Sequence, residues 1–338
     1  MPSSLPLPPP PDHLSGWPYE AAPGTSDSLP VYPKISIVTP SYGQGRFIER
    51  TIRSVLMQGY PNLEYFVMDA GSTDETVDVL KKYDPWLTGW VSERDKGQAD
   101  AINKGWSRAT GEIFAWINSD DWYVPGAFQA VARAFVENPA CNWVHGEVLN
   151  TGPTGAVVKH YRPRQMTAAD CLGRHNYSFH QPGMFWRASL VRQAGPLDPN
   201  LHCSFDHELC LRMLLAGEQP VLLPKPISHF QLHAESKSYG IRDRFTREDR
   251  QVFAKHAPAL SAHERAQAQR WLRENEADVL LDTIYSQLAL HRRKAATSTF
   301  LGNLGLLPLV SPRKAILGLA WRTFVTGRPP EWFRTHKA

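Results

Sequence analysis

"KISIVTPSYGQGRFIERTIRSVLMQGYPNLEYFVMD", residues 34–69, decides the fold. It opens on a compact apolar run with β-branched Ile and Val, which reads as a buried strand. From Gly45 the period changes: Ile48, Ile52, Val55 and Leu56 form one helical stripe, and Gly59-Tyr60-Pro61-Asn62 stops it. "LEYFVMD" is a second apolar strand that ends at Asp69.

Strand, helix and strand in this order are the signature of an α/β architecture with a mostly parallel sheet, and the pattern continues outward. "GSTDETVDVLKKY" carries a capping-box pattern, Ser72 and Glu75, ahead of a short helix. "GWVSE" is a third strand. In "DKGQADAINKGWSRATG", Ala99, Ile102, Trp106 and Ala109 are spaced by three and four, so a helix is expected there, closed by Gly111. "EIFAWIN" is a fourth strand and runs into Ser119-Asp120-Asp121. Phe128, Val131, Ala132 and Phe135 mark the next helix, and "NWVHGEV" a further strand. Beyond residue 150 the periodicity weakens until a helix near Phe205. From Thr246 to His291 the chain reads as amphipathic helix, and "RKAILGLAWRTFV" as another.

With 338 residues, 42% hydrophobic and 21% charged, the composition is globular and allows one large domain or two ordinary ones. Cys141, Cys171, Cys203 and Cys210 form no CxxC pair and no disulfide-type spacing, which points to a reducing cytoplasm. Residues 1–33 are too rich in Pro and Ser for regular elements and lack the order of a signal peptide, so a disordered or loosely draped arm is expected. No stretch reaches the ~20 apolar residues of a membrane-spanning helix. Residues 291–338 hold nine Lys or Arg against one acid, Glu331, so the tail carries +8 and the remaining 290 residues −4.

Strands that each end in a polar cluster, Thr39-Pro40-Ser41-Tyr42, Asp69 and Asp120-Asp121, set those clusters along one sheet edge. In open α/β sheets ligands bind there. Two adjacent carboxylates with Ser119 and Asn118 beside them suit a hard divalent cation, Mg²⁺ or Mn²⁺. The same dipeptide also serves as a solvated turn, and "DAGSTDET" reads equally as a strand-to-helix turn or as a nucleoside contact.

"IVTPSYGQGRFIERTIRSVLMQGYPNLEYFVMDAGSTDET", "SERDKGQADAINKG" and "WINSDDWYVPGA", in this order and spacing, strongly resemble family 2 glycosyltransferases of the GT-A fold. The resemblance runs from about Lys34 to Gly240. It implies a Rossmann-like mixed, mostly parallel sheet with flanking helices; outside it, periodicity and charge read 241–338 as a helical C-terminal extension with a basic amphipathic tail. Residues 34–150 would be the nucleotide-sugar half and 151–240 the acceptor half.

Carried over residue by residue, Thr39, Pro40 and Tyr42 would line the nucleotide pocket and Asp69 would contact the nucleoside. Asp100 and Asn103 would lie beside the phosphates and sugar. In Ser119-Asp120-Asp121, Asp120 would face the ribose and Asp121 bind the metal that bridges the donor diphosphate. "SFDHELCLRML" places the catalytic base at Asp206, with Glu208 as the next carboxylate and Gln181 of "HQPG" on the acceptor side. His233 would be a further metal ligand or diphosphate contact, with Ser236 and Lys237 on a lid. Ala70 stands where many members have a second Asp that hydrogen-bonds uracil.

The resemblance thus implies an inverting enzyme that moves a sugar from a nucleoside-diphosphate donor to a hydroxyl of a glycan or lipid-linked acceptor in bacterial surface polysaccharide or glycolipid synthesis. Ile316, Leu319, Ala320 and Phe324, with Arg313, Lys314 and Arg322, form an amphipathic stripe suited to the anionic inner face of the cell membrane. A catalytically silent sugar-nucleotide binding protein and a metal-dependent phosphodiesterase are the rival readings. A dinucleotide-dependent oxidoreductase fails because "PSYGQGRF" is not G-x-G-x-x-G. A nucleic-acid partner is not expected of a −4 body.

Overall fold

Strand β1 (Ile35–Ser41), helix α1 (Gly45–Leu56) and strand β2 (Leu63–Asp69) form the expected right-angle alternation of periods, with β1 and β2 paired in parallel from Ile35–Leu63 to Ser41–Asp69. The structure, a computed structural model, describes residues 6–11, 14–21, 29–152, 155–175, 177–233, 242–289, 291–309, 319–320, 322–326 and 328–330. Chain order continues through α2 (Thr76–Tyr83), β3 (Gly89–Ser92), α3 (Gln98–Arg108), β4 (Ile113–Trp116), β5 (Trp122–Tyr123) and α4 (Ala127–Glu137). Then come β6 (Trp143–Thr151), β7 (Val157–Tyr161), α5 (Ala168–Leu172), β8 (Met184–Arg187), α6 (Ala188–Ala194), α7 (Phe205–Leu215) and β9 (Val221–Gln231).

Among the described residues nine strands make one sheet in the order β3-β2-β1-β4-β8-β6-β9-β5, with β7 on β6. Six of the nine run the same way; β5, β7 and β8 are reversed. The sheet is therefore mixed and mostly parallel, as the sequence pattern predicts.

Burial explains why each element sits where it does. Ile48, Ile52 and Val55 of α1 are fully buried against Ile35, Ile37 and Val67, each burial being worth about 1.5–3 kcal/mol. Helix α3 lies so close on β1 that a Cβ at Gly105 would stand 2.5 Å from Val38 Cγ1. That contact brings the "DKGQ" start of α3 up to the sheet edge.

The capping box does not form. Helix α2 starts at Thr76, and Asp74 Oδ1 accepts from the Thr76 amide and hydroxyl, while Ser72 turns back to Asp69. A tertiary use of Ser72 outcompetes the local one.

The chain divides into two units, residues 1–167 with 178–241, and residues 168–177 with 242–338. The short α5 thus belongs with the C-terminal extension rather than with the half in which its sequence position places it. In the described parts of the N-terminal arm Leu29 is buried, Leu7 and Tyr32 pack on the core, and the carbonyls of Pro8 and Pro18 accept from the buried Arg53.

In the second unit α8 (Arg242–His256) and α9 (Ala262–Ala289) are separated at Ala257-Pro258-Ala259, since Pro258 supplies no amide to continue the helix. Leu280, Ile284, Tyr285 and Leu288 of α9 pack with Ala296 and Phe300 of α10 (Arg293–Gly302) and with Leu319. Leu319 and Ala320 therefore face this cluster, whereas Phe324 is 40% exposed, so the expected apolar stripe is divided by tertiary packing. Arg313, Lys314 and Ile316 lie outside the described residues, as do Ser236 and Lys237. No helix among the described residues is long and apolar enough to cross a membrane.

Candidate active site

The turn after β4 carries the paired carboxylates, and its two members have different surroundings. Asp121 is buried: Oδ1 accepts from the Gln231 amide at 2.9 Å and Oδ2 from Asn118 Nδ2 at 3.2 Å. Burial, and then the charge of Asp120, push its carboxyl well above the ordinary carboxylate range. Asp120 faces outward, with Oδ2 2.9 Å from His233 Nε2. Asp121 spends Oδ1 on holding the turn to the end of β9 and Oδ2 on Asn118 within the turn, and Asp120 is the carboxylate that lies against His233.

Three side chains from α1 clasp this turn. Thr51 Oγ1 bonds the carbonyls of Ser119 and Asp121, at 2.9 and 2.6 Å, and Ser54 Oγ accepts from the Tyr123 amide. The Arg50 guanidinium lies 3.9 Å from the Trp122 ring centroid and donates to Gln231 Oε1. On Trp122, His229 stacks at 4.6 Å; burial, and then Arg50, push this imidazole down to about 4, so it is neutral at pH 7 and does not repel the guanidinium. None of these partners is visible in the sequence, because each contact spans about 70 residues or more and no local period marks it.

The expected nucleotide contacts separate into two groups. Thr39 is buried with Oγ1 on the Tyr65 hydroxyl, and Pro40 is buried beside it, so both shape the end of β1 from within. Tyr42 is 70% exposed and presents a ring at that edge. Asp69 is 1% exposed: its oxygens accept from the amides of Gly71 and Ser72 and the hydroxyls of Ser72 and Ser92. It organises the "DAGS" turn, in which Ser72 Oγ also accepts from the Gly43 amide, rather than offering a free carboxylate.

At the start of α3, Asp100 Oδ2 accepts from the Lys96 amide and pairs with Lys104. Asn103 is used elsewhere: its amide donates to the Leu197 carbonyl and accepts from the Leu197 amide, fixing the loop before α7. The residue that links α3 to the carboxylate turn is Gln98, whose Nε2 donates to Asn118 Oδ1. Ser119 contributes its carbonyl to the Thr51 clasp and is buried.

On the acceptor side, Trp116 gathers the pieces. Its carbonyl accepts from Gln181 Nε2 at 2.7 Å, and its ring stacks on Trp186 at 5.1 Å and meets Phe205 at 6.1 Å. Phe205 opens α7, and Asp206 follows it in the first turn of that helix. Asp206 Oδ1 accepts from the following amide, His207 N, at 2.7 Å. Glu208 is fully buried and pairs with Arg212 at 2.8 Å.

With this geometry in place, comparison with known proteins identifies the chain as a member of glycosyl transferase family 2. The family model matches residues 36–193, and an uncharacterized glycosyltransferase of Mycobacterium tuberculosis is 30% identical over 193 residues, 55% of this chain and 71% of the relative. Two other relatives, at 32% and 40% identity, are matched over only 36% of their own length. The fold is that of GT-A glycosyltransferases. S. aureus TarS with UDP-GlcNAc superposes with a TM-score of 0.55 at 17% identity, over 90% of this chain and 92% of that one. The mannosyltransferase PcManGT from Pyrobaculum calidifontis, with GDP-Man and Mn²⁺, superposes with a TM-score of 0.55 at 18% identity, over 88% of each chain.

Proposed function

We propose that the chain transfers a sugar from a nucleoside diphosphate to an acceptor hydroxyl with inversion, in the synthesis of a surface polysaccharide or glycolipid. The observation that carries this reading is the Asp120–His233 pair in the turn after β4, the strand whose Trp116 ring meets Phe205 at the start of α7. TarS and PcManGT, with their bound UDP-GlcNAc and GDP-Man, supply the donor class.

The pair fits a divalent cation. Two ligands at about 2.1 Å and at right angles around one ion lie about 3.0 Å apart. Asp120 Oδ2 and His233 Nε2 are 2.9 Å apart. Asp120 and His233 would hold the ion, and diphosphate oxygens and water would complete its shell. When bound, the ion would neutralise the charge that builds on the departing β-phosphate.

Asp206 takes the proton of the acceptor hydroxyl. The hydroxyl oxygen forms a bond to the anomeric carbon as the bond to the diphosphate oxygen breaks on the opposite face, and the configuration inverts. Tyr42, exposed at the end of β1, stacks on the base. Because Ala70 removes one familiar uracil contact, uridine and guanosine diphosphates are both tested. The acceptor is a glycan or lipid-linked glycan, and the basic C-terminal unit meets it at the anionic inner face of the cell membrane.

Calorimetric titration with UDP and GDP, each with Mn²⁺, Mg²⁺ or EDTA, tests the reading. One nucleotide should bind only with metal, and Asp120→Ala should remove that binding. Undiminished affinity in EDTA would overturn the metal assignment.

A further inference from the structure

The N-terminal arm reaches the same turn. Trp17 Nε1 donates to the Tyr123 carbonyl at 2.7 Å, across 106 positions of sequence. Strand β5 lies at the edge of the sheet, paired only with β9. Its far side still presents polar backbone that needs partners. Tyr123 finds both of them there: its amide donates to Ser54 Oγ of α1 and its carbonyl accepts from Trp17.

Arg53 anchors the arm to the other side of α1. It is 3% exposed, and its guanidinium donates to the carbonyls of Pro8, Pro18 and Tyr19 and to the Tyr83 hydroxyl. A buried cation is tolerated only when its donors are satisfied, and here three of the four acceptors belong to the arm. Helix α1 thus stands between the arm on Arg53 and the carboxylate turn on Thr51 and Ser54. Asp120 sits three residues before Tyr123.

We propose that the N-terminal arm is a positioning element for the metal pair, acting through the Trp17–Tyr123 bond and the Arg53 anchor to fix where Asp120 stands relative to His233. This rests on the proposed function for the identity of the ligand, while the mechanical link rests on the hydrogen bonds alone. Trp17 touches no substrate.

The test uses the full chain. Trp17→Phe keeps the ring but removes the donor, and Leu7→Ala serves as a control that loosens the packed arm without touching Tyr123. Two readouts are taken: amide hydrogen exchange over residues 116–124, and the Mn²⁺ concentration needed for half-maximal binding of the nucleoside diphosphate that the native chain binds. Trp17→Phe should speed exchange in that segment and raise the Mn²⁺ requirement about two- to tenfold, the scale of one hydrogen bond. Affinity at saturating Mn²⁺ should be recovered.

Unchanged exchange together with an unchanged metal requirement overturns the proposal. So do equal shifts in Trp17→Phe and Leu7→Ala, which would mean general loosening. If the native chain binds no nucleoside diphosphate, the functional reading fails, and the exchange measurement alone decides whether the arm holds the turn.

Discussion

Asp120 and Asp121 are neighbours in sequence and differ in almost everything else, which makes them the sharpest residue-scale test. Asp121→Asn would set an amide donor against Asn118 Nδ2, where a carboxylate oxygen now accepts, and should cost about 1–3 kcal/mol, read as a lower melting temperature. Asp120→Asn should leave the melting temperature nearly unchanged and weaken metal-dependent nucleotide binding by more than about tenfold. A reversed pattern would restore the metal to Asp121. Asp206→Asn keeps size and geometry but loses basicity, so turnover should fall ~10²–10⁴-fold with donor affinity retained, a split that separates a base from a ligand. Near-normal transfer would move the base elsewhere, though not to Glu208. That carboxylate is sealed against Arg212, and Glu208→Gln should instead cost about 3–5 kcal/mol of stability. The motifs made the positions of these residues legible, because carboxylates after buried strands and at helix starts stand out. Which of two adjacent acids turns inward was not legible, because the Gln231 amide that holds Asp121 lies 110 residues further along the chain.

Strands and helices with a clear period were readable as elements: β1, α1, β2 and α3 lie where apolar spacing places them. The failures have one cause, the use of a local signal by a distant partner. Ser72 leaves its helix to hold Asp69, and two-residue β5 has no period at all and exists only because β9 pairs with it. Glu64 shows the same effect on a strand. On β2, it accepts from Ser36 of β1, from Lys34, and from the amide and hydroxyl of Thr110 after α3, and so joins three elements. Burial alone would raise its pKa, but the bonds from Lys34, Ser36 and Thr110 outweigh it and bring the carboxyl down from 4.5 to about 2. A depressed carboxylate stabilises the fold above its unfolded value, and that contribution disappears as pH falls through the folded one. Glu64→Gln should therefore be less stable than the native chain by about 2 kcal/mol at pH 7, with the gap closing between pH 4.5 and about 2. Denaturant unfolding across that range measures it, and a gap independent of pH would rule out the charge as its source.

At the scale of the whole molecule, charge is distributed by region. Residues 242–290 hold eight acidic and eight basic residues, whereas residues 291–330 hold only basic ones. In that second stretch Arg293 donates to the carbonyls of Thr323 and Phe324, and the Phe300 and Phe324 rings meet at 5.2 Å, so the α10 start and the 322–326 turn form one surface. Leu301 and Leu304 are each 53% exposed there and Val325 50%, among the exposed cations Arg292, Arg293 and Lys294. Half-exposed aliphatic side chains ringed by cations match the two requirements of an anionic bilayer surface, apolar insertion and about 1 kcal/mol per cation. Of the stripe expected from the sequence, Leu319 packs into the buried cluster and Phe324 is exposed, and Leu301, Leu304 and Val325 are exposed as well. The native chain should sediment with phosphatidylglycerol vesicles, weakly with phosphatidylcholine, and less as salt rises. Leu301→Glu with Val325→Glu places negative charge at two of the exposed apolar positions and leaves the buried cluster intact, so it should abolish sedimentation without changing nucleotide binding. If the double variant sediments as the native chain does, or if the native chain ignores anionic vesicles, this surface does not meet a membrane.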